Sequence, residues 1–502
     1  MNWVNEPICS RARFSGRQIF CRPSGAHSHL YAPHPGLTPG ATLCRPLRGL
    51  VGAVLLTIFF ALSATVRAQV NGSLPPTPNA TSGPTTNPIL SRYLDQISGT
   101  TADSAVADAL AHNGDLEAAR KEIGAARAMV KQARLRANPM LEAGGTQMIV
   151  GPDKSYMVSG SLPLELGGRR MARIRVAERE LAMRELTVAD RERTLAAEVR
   201  VKFGEGLAQA LKLIFTDELV AANQQSFNLI AARVTEGATP PLEQNMALVE
   251  LNRLRSMRES VEGKLEVTMF ELRNLLGLKP EDPLLLRGGF RNLIDQLPTV
   301  AEATASALQE RPDLRAFRAA ENLALARIEQ ARAEGRSDAS LNAGYQRMET
   351  GFPLRGIDDL GGLSPIMKKM NIATFGVTIS LAVRNKNQGA IEAAVAESEA
   401  ATHRREFAEL TVRREVASAY AQYERAARAM EIFRVGVHDP ARANLDVVRQ
   451  TYELGSRTLI DYIGEQRRFI ELENDFIDTE LAVYNARVEI ARASASPELI
   501  KK

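Results

Sequence analysis

Along the chain, stretches of strict apolar/polar alternation and stretches of helical periodicity follow one another in an order that occurs twice. In segment 373–383, Phe375, Val377, Ile379, Leu381 and Val383 fall on one face while Thr374, Gly376, Thr378 and Ser380 fall on the other. A period of two predicts a strand with one apolar side. Segment 155–164 sets Tyr156, Val158, Gly160 and Leu162 against Met157, Ser159 and Ser161. In 339–348, Leu341, Ala343 and Tyr345 alternate with Asn342, Gly344 and Gln346, and 141–150 carries the weakest alternation of the four. Each runs for about ten residues, the length of a tilted transmembrane strand, and an apolar outside with a polar inside is what a lipid-facing wall around a wet lumen requires. The competing reading is an amphipathic hairpin on a soluble core.

Between the strands the period becomes helical. No proline lies between Pro163 and Pro240, and a helix from Gly168 to Val234 would reach about 100 Å at 1.5 Å per residue. No compact domain holds such a rod. Ile174, Leu181, Val188 and Leu195 recur every seven residues; Val416, Tyr420, Tyr423, Ala427, Met430, Phe433 and Val437 are spaced by threes and fours. Both patterns are coiled-coil seams. Gly204 and Gly206 in the first rod, and Asp439-Pro440 in the second, are expected to bend or break it.

The repetition is legible in the residues themselves. Asp115-Leu116-Glu117-Ala118-Ala119-Arg120 followed by Gln132-Ala133-Arg134 matches Asp313-Leu314-Arg315-Ala316-Phe317-Arg318 followed by Gln330-Ala331-Arg332, and Leu141-Glu142-Ala143-Gly144 matches Leu341-Asn342-Ala343-Gly344. Gly237 aligns with Gly455, which places the extra residues of the second half between 348 and 373. The first repeat is expected over 90–298, with strands near 141–150 and 155–164 and helices over 115–137, 167–234 and 240–277. The second is expected over 299–493, with strands near 339–348 and 373–383 and helices over 312–335, 388–455 and 457–493. Residues 494–502 read as a tail.

Ahead of the repeats, Arg45 and Arg48 precede an apolar run from Leu50 to Leu62 and the small-residue stretch Ser63-Ala64-Thr65-Val66-Arg67-Ala68. This has the layout of an export signal over 1–68, cut before Gln69, and the run is shorter than the roughly 20 residues a retained spanning anchor needs. Residues 69–89, rich in Pro, Thr, Asn and Gly, predict a disordered linker. The cut changes the charge picture. The segment 1–68 holds seven of the 63 Lys and Arg and one of the 59 Asp and Glu, leaving 56 basic and 58 acidic residues beyond it. A near-neutral body with mixed charges offers no clustered cations for a phosphate backbone, so a nucleic-acid partner is disfavoured. Cys9, Cys21, Cys44 and Trp3 all precede the cut, which removes disulfides and thiolate chemistry from the mature chain. His112, His403 and His438 lack metal-ligand spacing and read as surface histidines. No Gly-x-Ser-x-Gly, phosphate loop or His-Glu-x-x-His occurs in the mature chain, so neither an enzyme nor a cofactor is expected.

Four strands per chain leave two unpaired sheet edges, which lipid cannot satisfy, and a barrel needs about eight strands or more to close. The chain is therefore expected to assemble around a shared barrel, three copies giving twelve strands. Helices studded with Arg and Glu cannot enter the bilayer and must extend the tube into the aqueous compartment. The fold class is thus mainly α with a small transmembrane β-barrel, built from a duplicated helix-strand-strand-helix-helix unit on a long coiled-coil tunnel.

Here the residues resemble a known group. From about Tyr93 to Ile490 the chain resembles the TolC family of outer-membrane efflux channels. The most specific stretch is Tyr452-Glu453-Leu454-Gly455-Ser456-Arg457-Thr458-Leu459-Ile460-Asp461, similar to the family's helix-turn-helix at the periplasmic tip, with a weaker copy from Gly237 to Leu242. Asn387, Gln388 and Gly389, where a strand hands over to a long helix, are similar to the cobalt-zinc-cadmium branch, and Gly167 and Gly168 occupy the same place in the first half. The resemblance implies a homotrimer in outer-membrane lipid, a twelve-stranded barrel on a twelve-helix tunnel, a periplasmic adaptor (membrane fusion) protein and an inner-membrane, proton-driven pump of the RND type. It also implies tip roles: Asp461 in a ring of carboxylates at the constriction, Arg457 as a tether, Tyr452 at the same lock and Thr458 at the helix start. Some relatives carry a second Asp where this chain has Gly464. The alternative for Arg457 and Asp461 is a helix start with solvated charges. Gly455 and Gly237 fit a tight reversal needing positive φ. The function expected is passive conduction of exported solutes, heavy-metal cations ahead of drugs or secreted proteins; a pore-less periplasmic coiled-coil scaffold is the structural rival.

Overall fold

A computed structural model describes residues 90–290 and 297–500. The expected signal segment 1–68 and the linker 69–89, with the three cysteines and Trp3, lie outside the described residues. The first set of elements is α1 (Leu90–Tyr93), α2 (Ala102–His112), α3 (Gly114–Arg134), β1 (Met140–Gln147), β2 (Lys154–Pro163), α4 (Arg169–Thr235) and α5 (Pro241–Leu276). The second is α6 (Val300–Glu310), α7 (Pro312–Glu334), β3 (Asp338–Ile357), β4 (Leu363–Ser380), α8 (Gln388–Phe433), a π turn (Arg434–His438), α9 (Asp439–Glu453) and α10 (Leu459–Ser494), closed by a 3-10 turn (Pro497–Ile500). The short α2 and α6 are additions to the expected order. Each starts at a threonine that caps the chain reciprocally, Thr101 with Ser104 and Thr299 with Glu302, so the signal was the local capping box and not a periodicity.

The strands form one antiparallel sheet in the order β1-β2-β3-β4. The register puts Leu162, Leu341 and Val377 in one cross-strand row and Gly160, Ala343 and Phe375 in the next, so the alternations expected from the sequence share a single face. That face is bare: Phe375 is 84 % exposed and Val377 and Ile379 are each 58 % exposed. On the other face Asn342 Nδ2 donates to Thr378 Oγ1 at 2.7 Å and Gln346 Nε2 to Ser155 Oγ at 3.2 Å. Among the described residues the outer edges of β1 and β4 have no strand partner.

Two expectations about this region need correction. Strands β3 and β4 span 20 and 18 residues, not about ten. The insertion placed between 348 and 373 is a ribbon continuing the hairpin, with an irregular register between Gly351 and Arg355; the charges and the bulge there conceal its alternation. In addition, β4 ends at Ser380, so Leu381 and Val383 follow the strand.

The first rod differs from expectation, and the second meets it. Helix α4 runs unbroken for 67 residues through Gly204 and Gly206. Those glycines do not bend it; they let neighbours approach. A Cβ on Gly204 would lie 2.6 Å from the Tyr484 ring on α10, and one on Gly206 would lie 3.2 Å from Leu286. The packing gained here outweighs glycine's helix penalty of about 1 kcal/mol. In the second half the break expected at Asp439-Pro440 is present: the helical stretch over 388–455 is interrupted by the π turn just before that pair. Proline cannot continue the hydrogen-bond ladder, and one extra residue per turn absorbs the mismatch.

The main core gathers Leu195, Val199, Phe203 and Leu207 of α4, Leu265, Met269 and Leu272 of α5, and Tyr484 and Val488 of α10. Truncating one such leucine to alanine costs about 2–5 kcal/mol. The end of the chain is pinned to this core. Arg200, 1 % exposed, donates from Nε to Leu499 O at 3.1 Å and from Nη2 to Glu498 O at 3.2 Å and Asp103 Oδ1 at 2.6 Å. Residues 497–500, expected as part of a tail, therefore pack as structure.

Candidate functional site: the helical tip and the strand-to-helix junctions

The two helical reversals use the same device. After α4, Gly237 has φ +74° and its N–H donates to Val234 O, while Ala238 N–H donates to Arg233 O. After α9, Gly455 has φ +75°, its N–H donates to Tyr452 O, and Ser456 N–H donates to Thr451 O. Both are paired six-to-one and five-to-two closures that satisfy the last carbonyls of a helix and need a left-handed residue. Pro241 then opens α5 and Thr458 caps α10.

The side chains at the second tip are tied to one another. Asp461 Oδ2 accepts from Thr458 Oγ1 at 2.8 Å and from Thr458 N–H at 3.1 Å, and Asp461 N–H donates to Thr458 Oγ1 at 3.3 Å. These hydrogen bonds from Thr458, with a weaker contribution from the Arg457 charge, hold the Asp461 carboxyl below its ordinary range. Arg457 is exposed and makes no ion pair among the described residues. Tyr452 stacks face to face on Tyr462, ring centres 5.6 Å apart and planes 3° apart. Burial, then the Glu243 charge, pushes the Tyr452 hydroxyl up despite Arg233. These rings join Ile230 and Val234 of α4, Met246 of α5, and Leu459 and Ile463 of α10 in one apolar cluster, so the tips of both repeats pack together.

Sequence reasoning missed the group that locks this end. Glu250 on α5 is 1 % exposed and accepts from Arg253 at 2.8 Å and from Arg467 on α10 at 2.6 Å. Burial alone would push its carboxyl up, but the hydrogen bonds and charges of Arg253 and Arg467 outweigh it and hold Glu250 below the ordinary range. His438 was also misread. It is half-buried, stacked on Phe476 with ring centres 4.5 Å apart, with Nε2 2.9 Å from Glu473 Oε2. Nothing in the sequence spacing signals Arg467 or Glu473, because each of these pairings crosses to α10.

The two strand-to-helix junctions converge on the end of α7. Gly167 and Gly168 have φ +74° and +82°; Arg336 Nη1 donates to Gly167 O at 2.8 Å, and a Cβ on Gly167 would meet the Arg336 side chain at 2.8 Å. Arg169 holds Asp338 at 3.0 Å. In the second half Asn387 takes φ +62°, a conformation asparagine tolerates, and its Nδ2 donates to Ala331 O at 2.9 Å. Gln388 closes the loop, its Oε1 accepting from Lys386 N–H at 2.8 Å. Gly389 has open space around it, and nothing in the structure explains glycine there. Among the described residues no three His, Cys, Asp or Glu side chains gather into a metal-holding group, and no helix is long and apolar enough to cross a membrane.

Comparison with known proteins places this architecture. The pattern described as outer membrane efflux protein matches residues 105–278 and 304–496. The chain is 23 % identical over 399 residues to the cobalt-zinc-cadmium resistance protein CzcC of Cupriavidus metallidurans, covering 78 % of this chain and 89 % of that protein. Among solved structures it is similar to CusC, reported for transmembrane channel formation, with a TM-score of 0.64, 18 % identity, and 79 % and 92 % of the two chains covered. A membrane protein from Pseudomonas aeruginosa gives a TM-score of 0.65 at 23 % identity, covering 78 % and 93 %. The fold is that of these solved structures, the bare sheet face and the charged rods being its membrane and periplasmic parts. The chain belongs to the outer membrane efflux protein family.

Proposed function

We propose that this protein is the outer-membrane duct of a tripartite heavy-metal efflux system, passively conducting cations handed to it by a periplasmic adaptor and an inner-membrane pump of the RND type. The observation that carries the reading is the four-stranded sheet whose β1 and β4 edges are unpaired among the described residues while its exposed face is apolar. Hydrocarbon tolerates no open edge, and three copies joined edge to edge close a twelve-stranded barrel. The heavy-metal assignment rests on the relationship to CzcC over most of both chains. With no chemistry to perform on its cargo, the duct leaves substrate choice to its pump. Tyr452, Arg457 and Asp461, beside the Gly455 reversal, supply the lower closure: the tyrosine stack holds α9 to α10, and Arg457 is free to reach a neighbouring protomer.

Two experiments test the two parts. Purified protein in planar lipid bilayers should conduct ions, and with Arg457 and Asp461 both replaced by Ala its conductance should rise; silence of both forms removes the channel. Deleting the gene should lower tolerance to at least one of zinc, cobalt, cadmium, copper or nickel. Unchanged tolerance to all five removes the metal and spares the channel.

A further inference from the structure

On the outward sheet face, strands β2, β3 and β4 change from apolar to charged within two adjacent rows, and β1 ends beside them on the neutral Gln147. Moving away from the helices, β2 reads Leu162, Gly160, Val158, Tyr156, Lys154, and β3 reads Leu341, Ala343, Tyr345, Arg347, Glu349. Strand β4 reads Val377, Phe375, Ala373, Asn371, Lys369. The register aligns these steps: Tyr156, Arg347 and Asn371 share one row, and Lys154, Glu349 and Lys369 share the next. The exposed tyrosines Tyr156 and Tyr345 sit at the step, where aromatic side chains mark a membrane-water boundary. Since the charged helices leave the sheet at its opposite end, this boundary is the outer leaflet.

The charges at that level do not balance. Glu349, with 20 % of its side chain exposed, lies 3.3 Å from Arg347 and 3.7 Å from Lys369, whose side chains remain 49 % and 62 % exposed. Lys154, opposite Glu349 in the register, adds a third cation, so three positive groups face one carboxylate. A pair exposed to this degree contributes little to stability. Guanidinium and ammonium groups held at headgroup height are instead suited to phosphate oxygens, the guanidinium by paired N–H donors. The acidic Asp358 and Asp359 lie further out, at the ribbon's turn.

We propose that Lys154, Arg347 and Lys369 form a cradle for the phosphate groups of an anionic glycolipid in the outer leaflet, with Glu349 holding the cations in place and limiting the affinity. The full-length mature protein in detergent would be titrated with bisphosphorylated lipid A and with the same lipid after removal of both phosphates, bound copies being counted by native mass spectrometry. The parent should favour the phosphorylated lipid. The triple substitution K154Q/R347Q/K369Q should weaken it by roughly tenfold or more, and K368Q, on the opposite face, should not. E349Q should bind several-fold more tightly, a gain that misfolding cannot produce. Equal binding of the phosphate-free lipid, parent-like binding by the triple variant, no gain in E349Q, or displacement of the lipid by excess inorganic phosphate at constant ionic strength would each overturn the proposal.

Discussion

Glu250 and Arg467 lie 217 residues apart in the chain and meet through two hydrogen bonds of 2.9 and 2.6 Å. The pair ties α5 of the first repeat to α10 of the second just above the tip cluster. A carboxylate buried to this extent is tolerated because Arg253 on its own helix shares it. Removing one partner strands the others, and breaking buried pairs of this kind typically costs about 3–5 kcal/mol. Arg467→Ala falls at the lower end, since Arg253 remains. Expected are faster proteolysis at the tip and a higher open fraction in bilayers, with the barrel's heat resistance unchanged. A parent-like digestion pattern would show that the pair carries no load.

The same group gives the tip a pH dependence whose sign follows from its direction of shift. The folded-state pKa of Glu250 is depressed, so its contribution is fully present above the unfolded value of about 4.3 and is lost as pH falls through the lower folded value. Asp461 acts in the same direction, with an unfolded value of about 3.9. Single-channel recordings taken downward from neutral pH should show opening events increasing only below about pH 4. Glu250→Gln should show those events already at neutral pH and little further change with acid.

Asp461 is bound into a helix cap, and this changes what its substitution measures. Thr458→Ala removes the hydroxyl that receives Asp461 N–H and costs the α10 start about 1 kcal/mol. Because the two side chains bond each other, the effects of Thr458→Ala and Asp461→Ala should overlap, the double variant losing less than their sum. Additive losses in a thermal-melt cycle would show that Asp461 acts apart from the cap, as a free charge facing the axis.

How much of this was legible depended on range. The Thr458-x-x-Asp461 spacing is a sequence-level cap signature, and the positive φ at Gly237 and Gly455 belongs to a turn written in neighbouring residues. The heptads at Ile174, Val188 and Leu195 gave the α4 seam, and these three side chains are buried. The ribbon of β3 and β4 was hidden because four steps on β3 from Gly351 to Arg355 oppose only two on β4, and such a bulge interrupts the alternation. Gly204 was read as a break because its local cost is visible and its contact with Tyr484, 280 residues on, is not. Glu250, Arg467 and His438 share that blindness: a buried charge looks like a surface charge until its partner helix is in place.

The glycines offer a direct comparison of local strain with packing. Alanine at Gly455 or Gly237 meets nothing within 4 Å, so the expected loss is only the left-handed penalty of about 1–2 kcal/mol. Gly204→Ala has ordinary helical backbone and gains about 1 kcal/mol of propensity. Its Cβ, however, would press on the ring of Tyr484, itself only 8 % exposed, and overpacking of that kind costs about 1–3 kcal/mol. Gly204→Ala should therefore loosen the α4–α10 contact, and Tyr484→Leu should relieve it. A Gly204→Ala protein more stable than the parent would show that the ring moves freely.

The anchored chain end gives the last test. Arg200, Arg193 and Arg311 are all buried, and each donates to a carbonyl near the end of the chain: Leu499, Arg492 and Ala493 respectively. Three guanidiniums thus meet the negative end of the α10 dipole and the turn beyond it. Deleting residues 497–502 would leave Arg193 and Arg311 satisfied but remove both carbonyl partners of Arg200, leaving it only Asp103, and would uncover the core around Leu499. Losing a hydrogen bond made by a buried charged group costs about 1.5–3 kcal/mol. Truncation should lower the melting temperature of the helical portion and the yield of membrane-assembled protein. Truncation combined with Arg200→Met should recover part of the loss, because the buried N–H donors left without their carbonyls go with the side chain. If the double variant is no better than the truncation alone, the Leu499 contact and not the arginine holds the end in place.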